Sequence, residues 1–393
     1  MTKNKPLTIG FVSTYPPREC GIATYTKNLM SAIKSVDSHI KMKNIAISDH
    51  ENYKYPKNVV FSIAQQNTRD YIKAAEFINK SDIDVVSLQH EFGIFGGFNG
   101  KKIIYLLKHL KKPIVMTMHT VPIHQKSPHL IIPKRWKTRT KLLEKIIPFV
   151  DRITVMNNLT KDYLEKKFPL RDKVGVIPHG APEISLETLN NYKKEKTSLG
   201  FKKNDFVITT FGLISPKKGL EFVIGALPGI IRHNPSSNIK YLIAGKMHPK
   251  KPKKYLFKLK KLVHKLKLSN NVVFDSRYLT YSAIYKYLAN TDIYITPYYT
   301  KEQASSGTLA YAIAAGCCIV STPYIFALDI LGKNQIGEMI KFKSSISITA
   351  VINNLIKRTN VIKKYRQNSY DFGKNFYWPK VAKKYISLFR EER

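Results

Sequence analysis

The chain has 393 residues, 43% of them hydrophobic, which excludes an intrinsically disordered protein and a small domain with a single core. Lysine and arginine number 66 against 27 aspartate and glutamate, giving a formal net charge of +39. The composition leaves two explanations for this excess open: a genome that favours lysine codons, or attraction to an anionic membrane surface, nucleic acid or acidic substrate.

The cysteines and the N-terminus bear on the compartment. Cys20, Cys317 and Cys318 show no spacing typical of a disulfide or metal framework, so we expect a reducing compartment and no metal or cofactor. We see no signal peptide, and no apolar run reaches the length of a membrane span. The expected location is the cytoplasm, with peripheral contact at the inner membrane face as a further option.

The first half of the chain alternates strand-like and helical patterns. Residues 7–14 form a nearly continuous apolar run, as a strand buried on both faces requires. A loop ending at Gly21 and a helical pattern over 22–33 follow; this arrangement binds phosphate in some proteins and is a plain connection in others. The alternation predicts a parallel sheet wrapped by helices. Further strands are predicted at 45–48, 59–64, 84–89, 113–118, 153–156 and 174–177, with helices at 68–79 and 101–111.

Histidines follow three of these predicted strands. His90 and Glu91 follow one strand, His119 the next in this group, and His179 the last. Ligands of parallel sheets bind beyond the carboxyl ends of the strands. A single histidine is usually structural, but three at successive strand ends favour a binding site.

A polar segment separates the two halves. Residues 182–205 are rich in Glu, Asn, Lys, Ser and Thr, and we interpret them as a linker and the entry to a second domain. The strand pattern then restarts at 206–212 and continues at 241–244, 272–274, 293–296 and 318–321. A C-terminal amphipathic helix is expected to dock on a groove. The predicted boundaries are therefore 1–185, 186–372 and a C-terminal helix within 373–393 that crosses back to the first domain.

Two connections in the second half are candidate anion sites. Gly212 to Gly219 joins a strand to a helix and carries Lys218, a cation at a helix start. Residues 302–316 begin with Glu302 and lead through Ser306 and Gly307 into an alanine-rich helix, whose unpaired N–H groups favour a phosphate. Each segment has an ordinary alternative as a strand–helix joint with solvated charges.

Two lysine-rich segments are candidates for contact with a membrane. Residues 250–268 predict an amphipathic basic helix, which we interpret as a surface helix with one face on the sheet. Residues 131–150 combine Trp136 with basic residues and an apolar flank, and are the stronger candidate. Their basic residues are Lys134, Arg135, Lys137, Arg139 and Lys141.

Taken together, these motifs resemble those of retaining glycosyltransferases of family 4. The resemblance rests on the Gly21 loop and on 211–212, 218–219 and 302–316. Residues 89–97 and 302–309 resemble the mannosyltransferase-like branch. It implies an α/β protein of the GT-B fold, with two Rossmann-like parallel-sheet domains facing a central cleft. The first domain would be the acceptor side and the second would bind a nucleotide-sugar donor.

The resemblance also implies roles for individual residues. His119 would contact the transferred sugar, Glu302 would hold sugar hydroxyls, and Lys218 would neutralise the diphosphate. Gly21 would lie near the donor phosphate or acceptor, with His90, Glu91 and His179 on the acceptor side. The backbone N–H groups of Gly307, Thr308 and Leu309 would bind phosphate oxygens, and Ser306 would also belong to the donor site.

The sequence departs from the family pattern at two positions. Leu213 stands where an arginine is usual, and Tyr311 where a second glutamate usually holds the ribose. We predict that Arg277 supplies the missing guanidinium and that Tyr311 makes one ribose contact.

The leading functional hypothesis is hexose transfer to a glycan or lipid-linked acceptor. Mannose from GDP-mannose is the favoured donor, with a UDP-sugar as the alternative. Competing hypotheses are a disaccharide phosphorylase or epimerase on the same fold, and a non-catalytic protein that binds nucleotide sugars. No nucleic-acid-binding module is recognised, so no specific nucleic acid is expected.

Overall fold

The computed structural model describes residues 6–50, 52–123, 134–170, 172–247 and 254–393, which divide into two compact units. The first unit comprises the chain up to Gly180 together with Trp378–Arg393, and the second comprises Ala181–Tyr377. The sequence placed the corresponding boundaries after residues 185 and 372. The chain therefore leaves the first unit once and returns to it once.

Within the described residues, the first unit contains a parallel sheet of seven strands in the order β3-β2-β1-β4-β5-β6-β7. The central strands are largely apolar and are buried along their length, as helices on both faces require. The strands are β1 (Thr8–Ser13), β2 (Lys41–Ser48), β3 (Val59–Ala64), β4 (Val85–His90), β5 (Ile114–Met118), β6 (Arg152–Val155) and β7 (Val174–Val176).

The helices of the first unit cover this sheet. The longest, α1, begins at Gly21, where the thiol of Cys20 caps it by accepting from the N–H of Ala23. The helix predicted at 101–111 is shorter than expected, because the residues at both of its ends form turns. The helices are α1 (Gly21–Val36), α2 (Thr68–Lys80), α3 (Ile103–Leu107), α4 (Lys134–Ile146) and α5 (Asn158–Lys167).

The second unit repeats this architecture with a parallel sheet of six strands, again within the described residues. Its order is β10-β9-β8-β11-β12-β13, so β8 and β11 are central neighbours and β10 lies at an edge. The strands are β8 (Asp205–Phe211), β9 (Asn238–Ala244), β10 (Val272–Asp275), β11 (Ile293–Thr296), β12 (Cys318–Ser321) and β13 (Gly337–Met339).

The interpretation of residues 182–205 as a linker needs a correction. These residues contain a helix, which Ser185 caps. The helices of the second unit are α6 (Leu186–Lys194), α7 (Leu220–His233), α8 (Lys254–Lys265), α9 (Tyr281–Ala289), α10 (Gly307–Ala314), α11 (Ile325–Asn334), α12 (Ser345–Lys357) and α13 (Thr359–Gly373).

The last helix, α14 (Trp378–Glu391), belongs to the first unit. It packs along α1, and the ring of Phe389 meets the edge of Phe11 on β1 at 6.3 Å between centroids. Its aromatic face therefore packs on a strand, β1, that lies more than 300 residues earlier in the chain. Among the described helices, none is long and apolar enough to cross a membrane.

Candidate functional site

The second unit gathers several of the predicted residues at the start of α10. Ser306 caps this helix, its hydroxyl accepting from the N–H of Leu309 at 3.3 Å. The N–H groups of Gly307 and Thr308 have no partner within the described residues. Because Leu309 is committed to its cap, two of the three N–H groups assigned to phosphate are open to a ligand.

Lys218 contacts this helix start through Tyr298. The Lys218 ammonium donates to the Tyr298 hydroxyl and lies 4.0 Å from the centre of its ring. The same hydroxyl is 3.0 Å from Oγ1 of Thr308, which is 3.3 Å from Oγ of Ser306. We call Lys218, Tyr298, Ser306 and Thr308 the lysine–tyrosine cluster.

The electrostatics of this cluster favour negative charge. Burial alone would raise the pKa of the Tyr298 phenol, but the ammonium of Lys218 and the hydrogen bonds around the hydroxyl outweigh it, so the pKa is lowered. Lys218 makes no ion pair within the described residues. An anion at the start of α10 would meet a lysine and two N–H groups together.

Two glycines permit the close packing around the cluster. Gly212 follows β8 with φ +121°, and a Cβ there would lie 2.8 Å from Cγ2 of Thr308. Gly219 has φ +66°, and a Cβ there would lie 2.2 Å from the carbonyl oxygen of Pro297. Both positions therefore require glycine, which lets the Lys218 loop approach β11 and α10 closely.

Glu302 lies on the turn between β11 and α10 and is half-buried. Its carboxylate has no hydrogen-bond or ion-pair partner in the part of the chain that the structure describes. The turn itself is held by main-chain bonds from Ile325 to Lys301 and from Phe326 to Gln303. A fixed loop with an unengaged carboxylate suits a ligand that offers hydroxyl groups.

Arg277 is not brought to the lysine–tyrosine cluster. Its guanidinium makes a bidentate pair with Asp275, with Nε–Oδ1 2.9 Å and Nη2–Oδ2 2.8 Å, while 77% of its side chain stays exposed. This hydrogen-bonded pair lowers the pKa of Asp275 to about 2. Since β10 is two strands from β8, the guanidinium would have to leave Asp275 to act as predicted.

Tyr311, on α10, packs among aromatic side chains from other elements of the second unit. Its ring lies 6.2 Å from Phe211, 6.0 Å from Tyr281 and 6.5 Å from Tyr285, between centroids. Burial raises the pKa of its hydroxyl, which therefore stays protonated. The residue that replaces the expected glutamate is a neutral part of a packed aromatic group.

In the first unit, His119 lies buried just beyond β5. Its Nε2 is 2.9 Å from Oε1 of Gln89, and the amide nitrogen of Gln89 donates to Oγ of Ser87 at 3.0 Å. This pairing orients the amide oxygen toward the imidazole, so Nε2 carries the proton and Nδ1 is the acceptor. Burial, with the neighbouring histidines, lowers the pKa of His119 to about 3, so the ring is neutral.

A tyrosine joins two of the predicted histidines. The ring of Tyr25 on α1 lies edge-on to His119 at 4.7 Å and to His179 at 5.1 Å between centroids. Its hydroxyl is 3.0 Å from that of Tyr385 on α14, which is 3.0 Å from Oγ1 of Thr117. We call Tyr25, His119 and His179 the histidine cluster.

The remaining residues predicted in the first unit lie nearby. The carbonyl of His90 accepts from the N–H of His119 at 3.0 Å, and Glu91 accepts from the hydroxyl of Thr120. Burial, with the charge of Arg139, lowers the pKa of His90 to about 3, and burial lowers that of His179 to about 4. Gly21 starts α1 in an exposed position where a Cβ would meet nothing within 4 Å.

Sequence reasoning missed Tyr298 and Tyr25. Tyr298 follows directly after β11, a position at the carboxyl edge that could have marked it. Tyr25 stands within the apolar face of α1, where nothing in the sequence separates it from an ordinary core residue.

The membrane candidate at 131–150 needs a correction. Arg139 is buried, at 7% exposure, with its guanidinium 4.5 Å from the ring centre of Phe92 and its Nε donating to Asn99 at 3.4 Å. It is a packing residue of the first unit and is not available to a surface partner. Residues 131–133 and the side chains of Lys134 and Arg135 lie outside the described residues, as do residues 250–253 of the other basic segment.

Family models of known proteins match both halves of the chain. Residues 45–183 match the family model for glycosyltransferase family 4, and residues 191–372 match that for glycosyl transferases group 1. An uncharacterized glycosyltransferase of Methanocaldococcus jannaschii is 26% identical over 254 residues, which is 64% of this chain. The match spans 61% of that relative, less than two thirds of its length.

Solved structures resemble the whole chain. A glycosyltransferase from Rickettsia africae has a TM-score of 0.74 at 17% identity, with 98% of both chains covered. Anabaena HepE in complex with UDP-glucose has a TM-score of 0.72 at 15% identity, covering 98% of this chain and 100% of that one. These likenesses confirm the predicted fold of two Rossmann-like parallel-sheet domains.

Proposed function

We propose that this chain transfers a hexose from a nucleotide sugar to a glycan or lipid-linked acceptor. Its two family matches support a glycosyltransferase of the group 1 and family 4 type. The observation that carries the proposal is the lysine–tyrosine cluster at the start of α10. Its cation and open N–H groups match the leaving group of such a donor.

The diphosphate is the group that needs stabilisation. As the bond from the anomeric carbon to the phosphate oxygen breaks, negative charge grows on that oxygen, while the acceptor hydroxyl forms the new bond and loses its proton. Lys218 and the N–H groups of Gly307 and Thr308 are fixed before the reaction, so they stabilise this charge without reorganising. Retention of configuration follows from the family resemblance and is part of the proposal.

Two further residues are assigned to the sugar. Glu302 has a carboxylate free to accept from two sugar hydroxyls. His119 is neutral, so it acts as a hydrogen-bonding group and carries no charge to the sugar. In the proposal, each contributes to turnover more than to nucleotide affinity.

The donor is proposed to be GDP-mannose, on the resemblance of residues 89–97 and 302–309 to the mannosyltransferase-like branch. Anabaena HepE was solved with UDP-glucose, which makes that donor the principal alternative. The aromatic group around Tyr311 replaces a carboxylate that would hold ribose, so we expect ribose hydroxyls to contribute less to affinity here.

A thermal-shift panel of nucleotide sugars tests the proposal, because a ligand that binds only the native state stabilises it by mass action. GDP-mannose should raise the melting temperature more than UDP-glucose. Lys218→Gln should remove most of this shift, whereas Lys217→Gln, a matched change at an exposed neighbouring lysine, should preserve it. Absence of a shift with every nucleotide sugar would overturn the proposal.

Turnover separates the competing functions. Release of GDP in the presence of an acceptor is the expected result. Donor binding without transfer or hydrolysis would indicate a non-catalytic protein. Cleavage of a disaccharide by free phosphate would indicate a phosphorylase.

A further inference from the structure

The helix α8 carries a one-sided charge pattern on its exposed surface. Its buried face consists of Tyr255, Leu259 and Val263, which pack on the sheet of the second unit. At 3.6 residues per turn, four of the five exposed lysines of this helix fall within about 60° of arc. This lysine stripe consists of Lys254, Lys258, Lys261 and Lys265, all exposed.

No acidic residue in the described part of the chain pairs with the lysine stripe. The sequence from 254 to 267 contains no aspartate or glutamate. Within the described residues, none of the four lysines makes an ion pair. The face therefore presents uncompensated positive charge to whatever approaches it.

An apolar ring stands beside these charges. Phe257 is 70% exposed, and it lies one helical turn from Lys254, Lys260 and Lys261. The corresponding outward face of α4 in the first unit is different, because Glu144 interrupts Lys137, Lys141 and Lys145, and the aromatic residue after it, Phe149, is 37% exposed. In charge and exposure, α8 therefore presents a more uniformly basic face than α4, the segment favoured from the sequence.

We propose that the lysine stripe and Phe257 form a docking face for a bilayer surface bearing anionic headgroups. At such a surface the ammonium groups stay with the headgroups while the ring enters the apolar boundary beneath them. Duplex nucleic acid would satisfy the lysines but offers a helix face no apolar layer for the ring. The combination of charge complementarity and an exposed ring therefore selects the lipid surface.

The test measures binding of the full chain to vesicles of phosphatidylcholine mixed with phosphatidylglycerol, against vesicles of phosphatidylcholine alone. One lysine near an anionic surface strengthens binding about fivefold. Replacing Lys258, Lys261 and Lys265 by glutamine should therefore weaken it about a hundredfold. The matched triple replacement of Lys137, Lys141 and Lys145 should have a much smaller effect.

The ring is tested separately. Phe257→Ala should weaken vesicle binding and Phe149→Ala should not. Phe257→Trp keeps an aromatic side chain, and its fluorescence should shift to the blue only with anionic vesicles. Equal melting temperatures of the variants and the wild type show that they are folded.

Several results would overturn the proposal. One is failure of the wild type to bind anionic vesicles. Another is retention of vesicle binding by the α8 triple variant, even if that variant no longer binds duplex DNA. Equal losses in the α8 and α4 triple variants would show that bulk charge governs binding. An unshifted tryptophan at position 257 would show that the ring stays in water.

Discussion

The hydrogen bond between Gln89 and His119 gives the sharpest test of the histidine cluster. Replacing Gln89 by leucine keeps a buried side chain of similar size and removes the acceptor 2.9 Å from Nε2. The imidazole N–H is then left unpaired in a buried position. We expect the first unit to lose about 1–3 kcal/mol of unfolding free energy, the cost of an unsatisfied buried polar group.

The loss can be measured in the first unit alone. The two tryptophans of the chain, Trp136 and Trp378, both belong to that unit, so tryptophan fluorescence during urea unfolding reports on it. Ser87→Ala is the matched control, because it removes one of the two hydroxyl partners of the Gln89 amide nitrogen and leaves the bond to His119. It should cost less than Gln89→Leu.

A spectroscopic signature separates positioning of His119 from simple loss of stability. Nitrogen NMR of the wild type should show the proton of His119 on Nε2, assigned by comparison with His119→Gln. In Gln89→Leu this preference should weaken, and in Gln89→Glu it should persist with a pKa above the wild-type value. An unchanged tautomer and unchanged stability in Gln89→Leu would refute the reasoning.

Three further predictions concern other residues of the two units. Glu302→Gln should preserve the fold and nucleotide binding but abolish most transfer, because an amide offers a weaker acceptor to sugar hydroxyls; normal turnover would remove Glu302 from the site. Arg277→Ala should change donor affinity by no more than about twofold, since Asp275 already occupies both arms of the guanidinium; a large loss measured by calorimetry would restore its predicted role at the diphosphate. Stability of the first unit should fall as the pH drops from 6.5 toward about 3, because the unfolded chain binds a proton that buried His90 does not. His90→Phe should reduce that slope by about 1.4 kcal/mol per pH unit in urea titrations, and an unchanged slope would contradict it.

The strands that are apolar and continuous in sequence could be predicted from the sequence. Residues 59–64, 293–296 and 318–321 were predicted with the bounds that the structure has. The strand Gly337–Met339 was missed, because three half-buried residues carry no apolar pattern. The helix Leu186–Lys194 was missed because it buries only Leu189, so its composition looks like that of a linker.

Only part of the candidate site could be predicted from the sequence. Lys218 and the start of α10 could be paired because both follow central strands, whose carboxyl ends meet at one edge. Arg277 also follows the carboxyl end of a strand, β10, as the sequence indicated. Its bidentate pair with Asp275, two residues earlier, depends on the side-chain conformations of both residues, which the sequence does not encode. The burial of Arg139 depends on a contact with Phe92, 47 positions earlier in the sequence, which no local pattern encodes.

The return of α14 to the first unit has a consequence for synthesis of the chain. The second unit is one continuous stretch, complete at Tyr377, whereas the first lacks Tyr385 and Phe389 until the final helix leaves the ribosome. Domains usually fold in the order in which they are made. Here the first unit must wait for α14, which is made after the second unit, so a nascent chain arrested before α14 should show a protease-resistant second unit and a digestible first one.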